Sequence, residues 1–237
     1  MMEWLLEKLK QWLMVPGGSC AVCGRILFKI QPPICSNCLR RLPVIRENTC
    51  AACGRPIFSE ESHFCSACAG LSVEERCDGG LVYLHYRDDG RDLITGLKFN
   101  TKLVIGQWLG EQLAGRVPVS WQADAIVPVP LHSVREEERG YNQSFLIAEG
   151  MAAVLGISVK EDWLVRTRNT PHQTGLNRKA RQQNMKEAFQ ASPQVFGKRI
   201  ILVDDVMTTG STLKACAKAL RDAGAASVYI ACAAARA

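Results

Sequence analysis

The pattern of hydrophobic and polar positions changes at about residue 78. Beyond it, short apolar runs typical of strands alternate with longer segments of helical periodicity. Strands are predicted at 81–86, 125–129, 199–203 and 227–232, and helices at 88–99, 102–117, 141–155 and 211–223. This alternation predicts an α/β domain over residues 78–237, in which helices flank both faces of a parallel sheet.

The N-terminal part of the chain follows a different pattern. Over residues 1–15 the apolar side chains fall on one side of a predicted helix, and Pro16-Gly17-Gly18 ends it. This helix either docks on a partner or a membrane surface or caps its own domain, and we favour the second interpretation. Residues 16–77 contain little apolar core and are predicted to form a separate, small cysteine-rich domain.

Eight of the eleven cysteines form four Cys-x-x-Cys pairs in a duplicated unit. Zn²⁺ accepts four thiolates in a tetrahedron, and two sulfurs across a tight turn converge on one ion. The repeat therefore predicts two structural zinc sites and favours one quartet of Cys20, Cys23, Cys35 and Cys38 and a second of Cys50, Cys53, Cys65 and Cys68. Interleaved cross-brace pairing is the alternative.

Composition and charge limit the class of protein and the compartment that we expect. Hydrophobic residues make up 47% and charged residues 22% of the chain, as in globular proteins. No apolar run is long enough to cross a bilayer, and the charged N-terminus does not resemble a secretory signal. We therefore expect a cytoplasmic location, where paired cysteines hold metal rather than form disulfides. Counting eight thiolates and two Zn²⁺ lowers the formal charge of +6 to about +2, so net charge gives nucleic-acid binding little support.

A second motif follows the strand predicted at 199–203. It reads Asp204-Asp205-Val206-Met207-Thr208-Thr209-Gly210-Ser211-Thr212 and leads into a helix. N–H groups at a helix start attract anions, hydroxyls add donors, and Gly210 allows the backbone to approach a ligand. The two carboxylates suit ribose hydroxyls. Since ligands of open α/β sheets bind at the carboxyl ends of strands, this loop is predicted to hold a sugar phosphate.

Residues 204–212 resemble the phosphoribosyl pyrophosphate (PRPP) motif of type I phosphoribosyltransferases. The resemblance implies that Asp204 and Asp205 hold the ribose 2- and 3-hydroxyls and that residues 206–212 wrap the 5-phosphate. It also implies Mg²⁺ bound together with PRPP. Thr208 stands where purine-salvage members usually carry an acid, so the resemblance does not extend to a purine-base acceptor.

Further motifs extend the resemblance to the ComF family. They are Val127-Pro-Val-Pro-Leu131-His132, Arg139-Gly-Tyr-Asn-Gln-Ser144, and a spaced series from Arg166 to Phe189. With the cysteine-rich head they resemble competence proteins for DNA uptake and GntX-type proteins linked to the use of DNA as a nutrient. The resemblance implies a phosphoribosyltransferase-like fold, PRPP binding, and single-stranded DNA and the DNA-uptake machinery as partners.

Several cations are candidates for the same ligand site. Arg135 and Arg139 fall where related transferases grip pyrophosphate, and we favour Arg139 because three glutamates separate the two. Lys98 is predicted either to reach the phosphates or to be solvated. His132 is either a pocket donor or an ordinary loop histidine.

The basic, amide-rich run at 166–186 has three interpretations. It closes over an anionic ligand, contacts a nucleic-acid backbone, or forms a solvated face.

Three functions are open at this point. The chain is a ComF-type protein that binds PRPP with Mg²⁺ and acts in DNA uptake or utilisation, and this is the favoured one. Alternatively, it is a binding module whose ligand gates DNA handling without turnover, or an active phosphoribosyltransferase that releases pyrophosphate with an unidentified small acceptor. No residue stands out as the catalytic base.

Overall fold

The computed structural model describes residues 18–27, 32–58, 61–97, 103–131, 140–167 and 188–236. The N-terminal helix predicted at 1–15 lies outside these residues. In chain order the elements are α1 (Ser36–Arg41), α2 (Ser66–Ala69), β1 (Gly79–His85), α3 (Asp88–Gly96), α4 (Leu103–Ala114), β2 (Ala125–Pro128), α5 (Gln143–Leu155), β3 (Leu164–Arg166), β4 (Phe189–Ala191), β5 (Arg199–Met207), α6 (Ser211–Asp222) and β6 (Ser227–Ala235). Single 3-10 turns occupy Val119–Trp121, Glu161–Trp163 and Pro193–Val195.

Four of the strands form one parallel sheet in the order β1-β6-β5-β2. Successive residues of the central strand β5 point to opposite faces of the sheet. Because successive residues of this strand are apolar, both faces are apolar. Ile201 and Val203 pack in the same cluster as α4 and α5, whereas Ile200 and Leu202 pack with α6. This arrangement confirms the predicted α/β class with helices on both faces. Strands β3 and β4 form a separate antiparallel pair, which the sequence does not predict.

The predicted end of β5 is wrong. The strand continues past Val203 to Met207, because its parallel partner β6 also continues and pairs Val206 with Ala234 and Met207 with Ala235. Asp204 and Asp205 therefore lie within the strand. The loop between β5 and α6 consists of residues 208–210 only.

Helices α4 and α5 approach each other closely through glycines. A Cβ on Gly110 would overlap the carbonyl oxygen of Ile147, and a Cβ on Gly150 would overlap the backbone of Gln107. The close approach fixes α5 against the sheet. It also fixes the first turn of α5, which lies beside the carboxyl end of β5.

The cysteine repeats form two ribbons, the first comprising residues 18–27 and 32–42 and the second residues 49–58 and 61–69. The linker between them covers the outer edge of β1, where the N–H of Ile45 donates to Tyr83 and that of His85 donates to Pro43, both at 2.9 Å. Covering an edge strand in this way blocks further pairing.

The linker also distributes the ribbons over the two faces of the sheet. The first ribbon packs in the cluster that contains α4 and α5, and the second packs in the cluster that contains α6. The boundary proposed near residue 77 therefore separates two parts that share their hydrophobic clusters.

Candidate zinc centres and phosphate-binding loop

The paired cysteines gather into two quartets of sulfur atoms. The quartets are Cys20, Cys23, Cys35 and Cys38, and Cys50, Cys53, Cys65 and Cys68, with ligand atoms in each within 4.8 Å of one another. The Sγ atoms of Cys23 and Cys35 are 3.8 Å apart, and those of Cys53 and Cys65 are 3.7 Å apart. A tetrahedral Zn²⁺ with Zn–S bonds of about 2.3 Å requires sulfur separations of about 3.8 Å. Both quartets therefore fit a structural zinc ion, and the cross-brace alternative is wrong.

Each ribbon builds its first cysteine pair on the same turn, the Cys-x-x-Cys-Gly-Arg knuckle. The N–H of Cys20 donates to the carbonyl of Arg25, and the N–H of Cys50 donates to that of Arg55, both at 2.7 Å. The glycine in each knuckle has a positive φ, +72° in the first and +73° in the second. This backbone conformation favours glycine, as the sequence predicts.

The surroundings of the sulfurs lower the pKa of some cysteines in each quartet and raise that of others. Burial alone would raise the pKa of Cys20, but hydrogen bonds from the N–H groups of Cys23 and Cys35 lower it to about 6. The N–H of Cys35 lies 3.3 Å from the Cys20 sulfur. In the second quartet, hydrogen bonds with neighbouring thiols hold the pKa of Cys50 well below its usual range. By contrast, burial raises the pKa of Cys38 to about 12, and the hydrogen bond with Cys50 raises that of Cys68 to about 12. Since zinc binds thiolates, metal binding must displace the protons that these thiols keep.

The acidic pair lies where β5 passes the first turn of α5. Ser144 donates its hydroxyl to Asp204 Oδ1 at 3.0 Å, and the N–H of Asp205 donates to the same oxygen at 2.9 Å. Asp204 keeps partial surface exposure, yet protein atoms crowd its carboxyl. This desolvation, together with the charge of Asp205, raises the pKa of Asp204 to about 8. Ionisation of Asp204 is therefore less favourable than that of an exposed aspartate.

Ser144 is a site residue that the sequence analysis does not identify. Asn142 caps α5 by accepting the N–H of Ser144 at 3.0 Å, and its amide donates to the carbonyl of Val129 at 3.1 Å. These bonds fix the start of α5 against the residue that follows β2. The Asn-x-Ser sequence indicates a cap, but the contact of Ser144 with Asp204 spans 60 residues and has no local signal.

Hydroxyl groups surround the start of α6. Thr209 Oγ1 and Ser211 Oγ are 2.8 Å apart, and the N–H of Ser211 lies 3.3 Å from Thr209 Oγ1. Gly210 precedes the helix with φ +78°, again a conformation that favours glycine. A shallow, open cleft at this point is lined by Asp204, Val206, Met207, Thr208, Gly210, Ser211, Thr212 and Leu213. The hydroxyls and the N–H groups of the first turn supply donors for an anion.

The predicted site residues fall into two groups. Residues 204–212 lie together at the carboxyl end of β5, although the side chain of Met207 is only 2% exposed and packs in the core. The other predicted residues, Lys98, His132, Arg135 and Arg139, lie outside the described residues, as does the basic run at 166–186 from residue 168 onward. Arg166 is described and lies on β3, with its guanidinium 5.6 Å from the centroid of the Phe189 ring.

One cation beside the loop is not predicted from the sequence. Arg55, from the second ribbon, donates from Nη2 to the carbonyl of Thr208. Nearby, Lys214 in the first turn of α6 donates to the carbonyl of Ala67 at 3.2 Å. The second ribbon therefore lies directly beside the loop between β5 and α6. No sequence signal marks Arg55, because Arg25 occupies the same place in an equivalent knuckle.

Comparison with known proteins agrees with this architecture. Residues 142–237 match the phosphoribosyl transferase domain, and residues 10–69 match the double zinc ribbon domain. Competence protein F of Haemophilus influenzae is 35% identical over 169 residues, which cover 68% of this chain and 74% of that protein. DNA utilization protein YhgH of Salmonella typhi is 36% identical over 146 residues, covering 59% of this chain and 64% of that protein.

A solved structure of the glutamine PRPP amidotransferase from Bacillus subtilis is a more distant match. It aligns over 54% of this chain and 25% of that chain, with 26% identity and a TM-score of 0.40. Within the described part of the chain, helices that are both long and apolar enough to span a membrane are absent.

The fold and the two cysteine quartets thus define the class: a phosphoribosyltransferase-like α/β domain that carries a double zinc ribbon at its N-terminal side. The chain belongs to the ComF family. The match spans just under two thirds of the length of the Salmonella relative.

Proposed function

We propose that the chain binds PRPP, or a related phosphoribosyl ligand, together with Mg²⁺ at the carboxyl end of β5, and that it acts in the uptake or use of DNA. One observation carries the ligand proposal. Asp204 and the hydroxyl-rich start of α6 line the same cleft, and the N–H of the neighbouring Asp205 donates to the Asp204 carboxyl. The names of the relatives, a competence protein and a DNA utilization protein, support the role in DNA handling.

The two halves of the site match the two halves of the ligand. Asp204 and Asp205 accept hydrogen bonds from the ribose hydroxyls, while residues 208–212 donate to the 5-phosphate. The carboxylates and the ligand's phosphate oxygens are hard donors of the kind that Mg²⁺ prefers. When bound, Mg²⁺ would neutralise negative charge on the pyrophosphate.

Further parts of the proposal come from the sequence. Lys98, Arg135 and Arg139 are proposed to hold the pyrophosphate. The basic run at 166–186 is proposed to close over the ligand or to contact single-stranded DNA, and the DNA-uptake machinery is the proposed protein partner.

Calorimetry with PRPP and Mg²⁺ tests the ligand proposal. Replacing Asp204→Asn and Asp205→Asn together should abolish measurable binding and leave the melting temperature near or above that of the parent. The control is Asp222→Asn, at the far end of α6, where an exposed carboxylate pairs with Lys218; it should bind like the parent. Unchanged affinity in the double variant would refute the site.

An active phosphoribosyltransferase is the second candidate, and the match of residues 142–237 to the phosphoribosyl transferase domain favours it. It predicts pyrophosphate release from PRPP in the presence of one nitrogenous acceptor. The assay uses a panel of bases, with and without single-stranded DNA. Binding of PRPP without release under any of these conditions would instead support a binding protein whose ligand gates DNA handling.

A further inference from the structure

We propose that Arg55 of the second zinc ribbon is a phosphate-binding residue of the site at the end of β5, and that its counterpart in the first ribbon has no such role. The inference rests on the proposed function, and it adds a part of the molecule outside the phosphoribosyltransferase-like domain to the ligand site. The geometry of the knuckle, the free donors of the guanidinium and the charge of the loop carry it.

The backbone that carries Arg55 is held rigidly against the sheet. A Cβ on Gly54 would lie 2.5 Å from the backbone nitrogen of Leu81, and a Cβ on Gly80 would overlap the backbone of Cys53. The knuckle of the second ribbon therefore lies directly on β1. Because the carbonyl of Arg55 also accepts the N–H of Cys50 at 2.7 Å, zinc coordination and sheet packing together fix where its side chain begins.

The side chain reaches the loop with donors to spare. Arg55 is half-buried, and Nη2 donates to the carbonyl of Thr208. Among the described residues this is the one hydrogen bond of its guanidinium, which has five N–H donors. A guanidinium held beside a helix start, with one hydrogen bond to the described residues, is well suited to bind phosphate oxygens.

The charges around the loop explain why a bound phosphate would need a cation there. Residues 208–212 supply hydroxyls and N–H groups but no charged side chain, whereas Asp204 and Asp205 precede them on β5. A phosphate at this place would experience carboxylates on one side and needs a full positive charge on another. Arg55 provides that charge at the loop itself, where it contacts Thr208, whereas the ammonium of Lys214 contacts the carbonyl of Ala67 in the ribbon.

Arg25 of the first ribbon is an internal control for Arg55. Arg25 follows the same Cys-x-x-Cys-Gly sequence, yet it is exposed. A Cβ on Gly24 would meet no atom within 4 Å, so the first knuckle does not press on the sheet. The two arginines share local sequence and local backbone, and they differ only in what surrounds them.

The test compares the parent with Arg55→Gln, Arg55→Lys and Arg25→Gln, each zinc-loaded and each checked for its melting temperature. Calorimetry measures the dissociation constants of Mg²⁺·PRPP and of ribose 5-phosphate, which keeps the ribose hydroxyls and the 5-phosphate and lacks the pyrophosphate. We expect Arg55→Gln to weaken both ligands by about tenfold to a hundredfold, the range for one charge-assisted hydrogen bond. Arg55→Lys should recover part of the loss, and Arg25→Gln should match the parent.

The outcomes separate this inference from the proposed function. If the parent binds both ligands and folded Arg55→Gln binds them equally well, the inference is overturned and the proposed function stands. The inference is also overturned if folded Arg55→Lys recovers no affinity, because a retained charge would then have no effect. If the zinc-loaded parent binds neither ligand, the proposed function and the inference both fail.

Discussion

The two zinc ribbons have the same metal chemistry and different relations to the rest of the molecule. In the first, Cys23 is exposed and a Cβ on Gly24 of its knuckle would meet none of the described residues within 4 Å. In the second, Cys53 is 8% exposed and its knuckle presses on the backbone of β1. The repeated sequence thus determines how each copy holds zinc, whereas the surface beneath each copy determines what else it does.

The difference extends to electrostatics. The first ribbon makes an ion pair with α3, in which Arg41 and Asp89 are 2.9 Å apart and the Arg41 side chain is 61% exposed. Such a pair contributes under about 1 kcal/mol. The second ribbon places its arginine on the loop that is proposed to hold a phosphate. One copy therefore contributes mainly to packing, and the other also contributes to the candidate site.

Loss of zinc should give the largest effect and the clearest contrast. Cys23→Ser and Cys53→Ser should each lower the zinc content from two ions to one, because each removes one of four ligands. The loss should be large, since structural zinc supplies about 10 kcal/mol or more to such small modules. Cys53→Ser should also lower the melting temperature further and abolish PRPP binding, because its ribbon supports the loop. Zinc analysis, thermal melting and calorimetry measure the three effects. Equal losses of stability and binding in the two variants would contradict the proposed difference between the two ribbons.

Substitution of the knuckle glycines should give the next largest effect. Gly54→Ala places a methyl group 2.5 Å from the Leu81 nitrogen and should cost about 3 kcal/mol or more. Gly24→Ala meets no neighbour and should cost only about 1–2 kcal/mol for the positive φ. Urea unfolding of both zinc-loaded variants gives the free energies. Equal costs would mean that the second knuckle does not depend on its contact with β1.

A smaller effect should appear in the pH dependence of stability, through the acidic pair of β5. The pKa of Asp204 is raised to about 8, above the value of about 3.9 in an unfolded chain. The unfolded chain therefore loses this proton first, and stability falls as the pH rises between these two values. Asp204→Asn should remove this fall and melt at a higher temperature than the parent at pH 8.

A control of opposite sign is available at the other end of β5. Hydrogen bonds from Arg199 lower the pKa of Asp124 to about 2, so its contribution is present above about pH 4 and fades as the pH falls towards 2. Asp124→Asn should therefore melt at a lower temperature than the parent at neutral pH. If Asp204→Asn melts lower than the parent at pH 8, the assigned pKa direction is wrong.

The parts that the sequence could predict are those determined locally. The cysteine spacing predicts both quartets, and the apolar runs predict all four strands of the sheet. The predicted end of β5 is wrong. Two acids are typical of a strand end, but pairing with the alanines of β6 extends the strand. The antiparallel pair of β3 and β4 is missed because three residues on each side give too short a pattern.

The tertiary parts of the site had no sequence signal. Ser144 reaches Asp204 across the sheet, and Arg55 reaches Thr208 from another part of the fold. Neither contact can be read from neighbouring residues, and Arg25 shows that the local sequence of Arg55 is compatible with an exposed position. The roles of Lys98, Arg135 and Arg139 stay predictions.

The most direct measurement is a crystal structure of the zinc-loaded chain with Mg²⁺ and PRPP. We expect the 5-phosphate at residues 208–212, the ribose hydroxyls on Asp204 and Asp205, and the guanidinium of Arg55 within hydrogen-bond distance of a phosphate oxygen. A ligand bound away from the end of β5, or an Arg55 that leaves the site when the phosphate enters, would contradict the account.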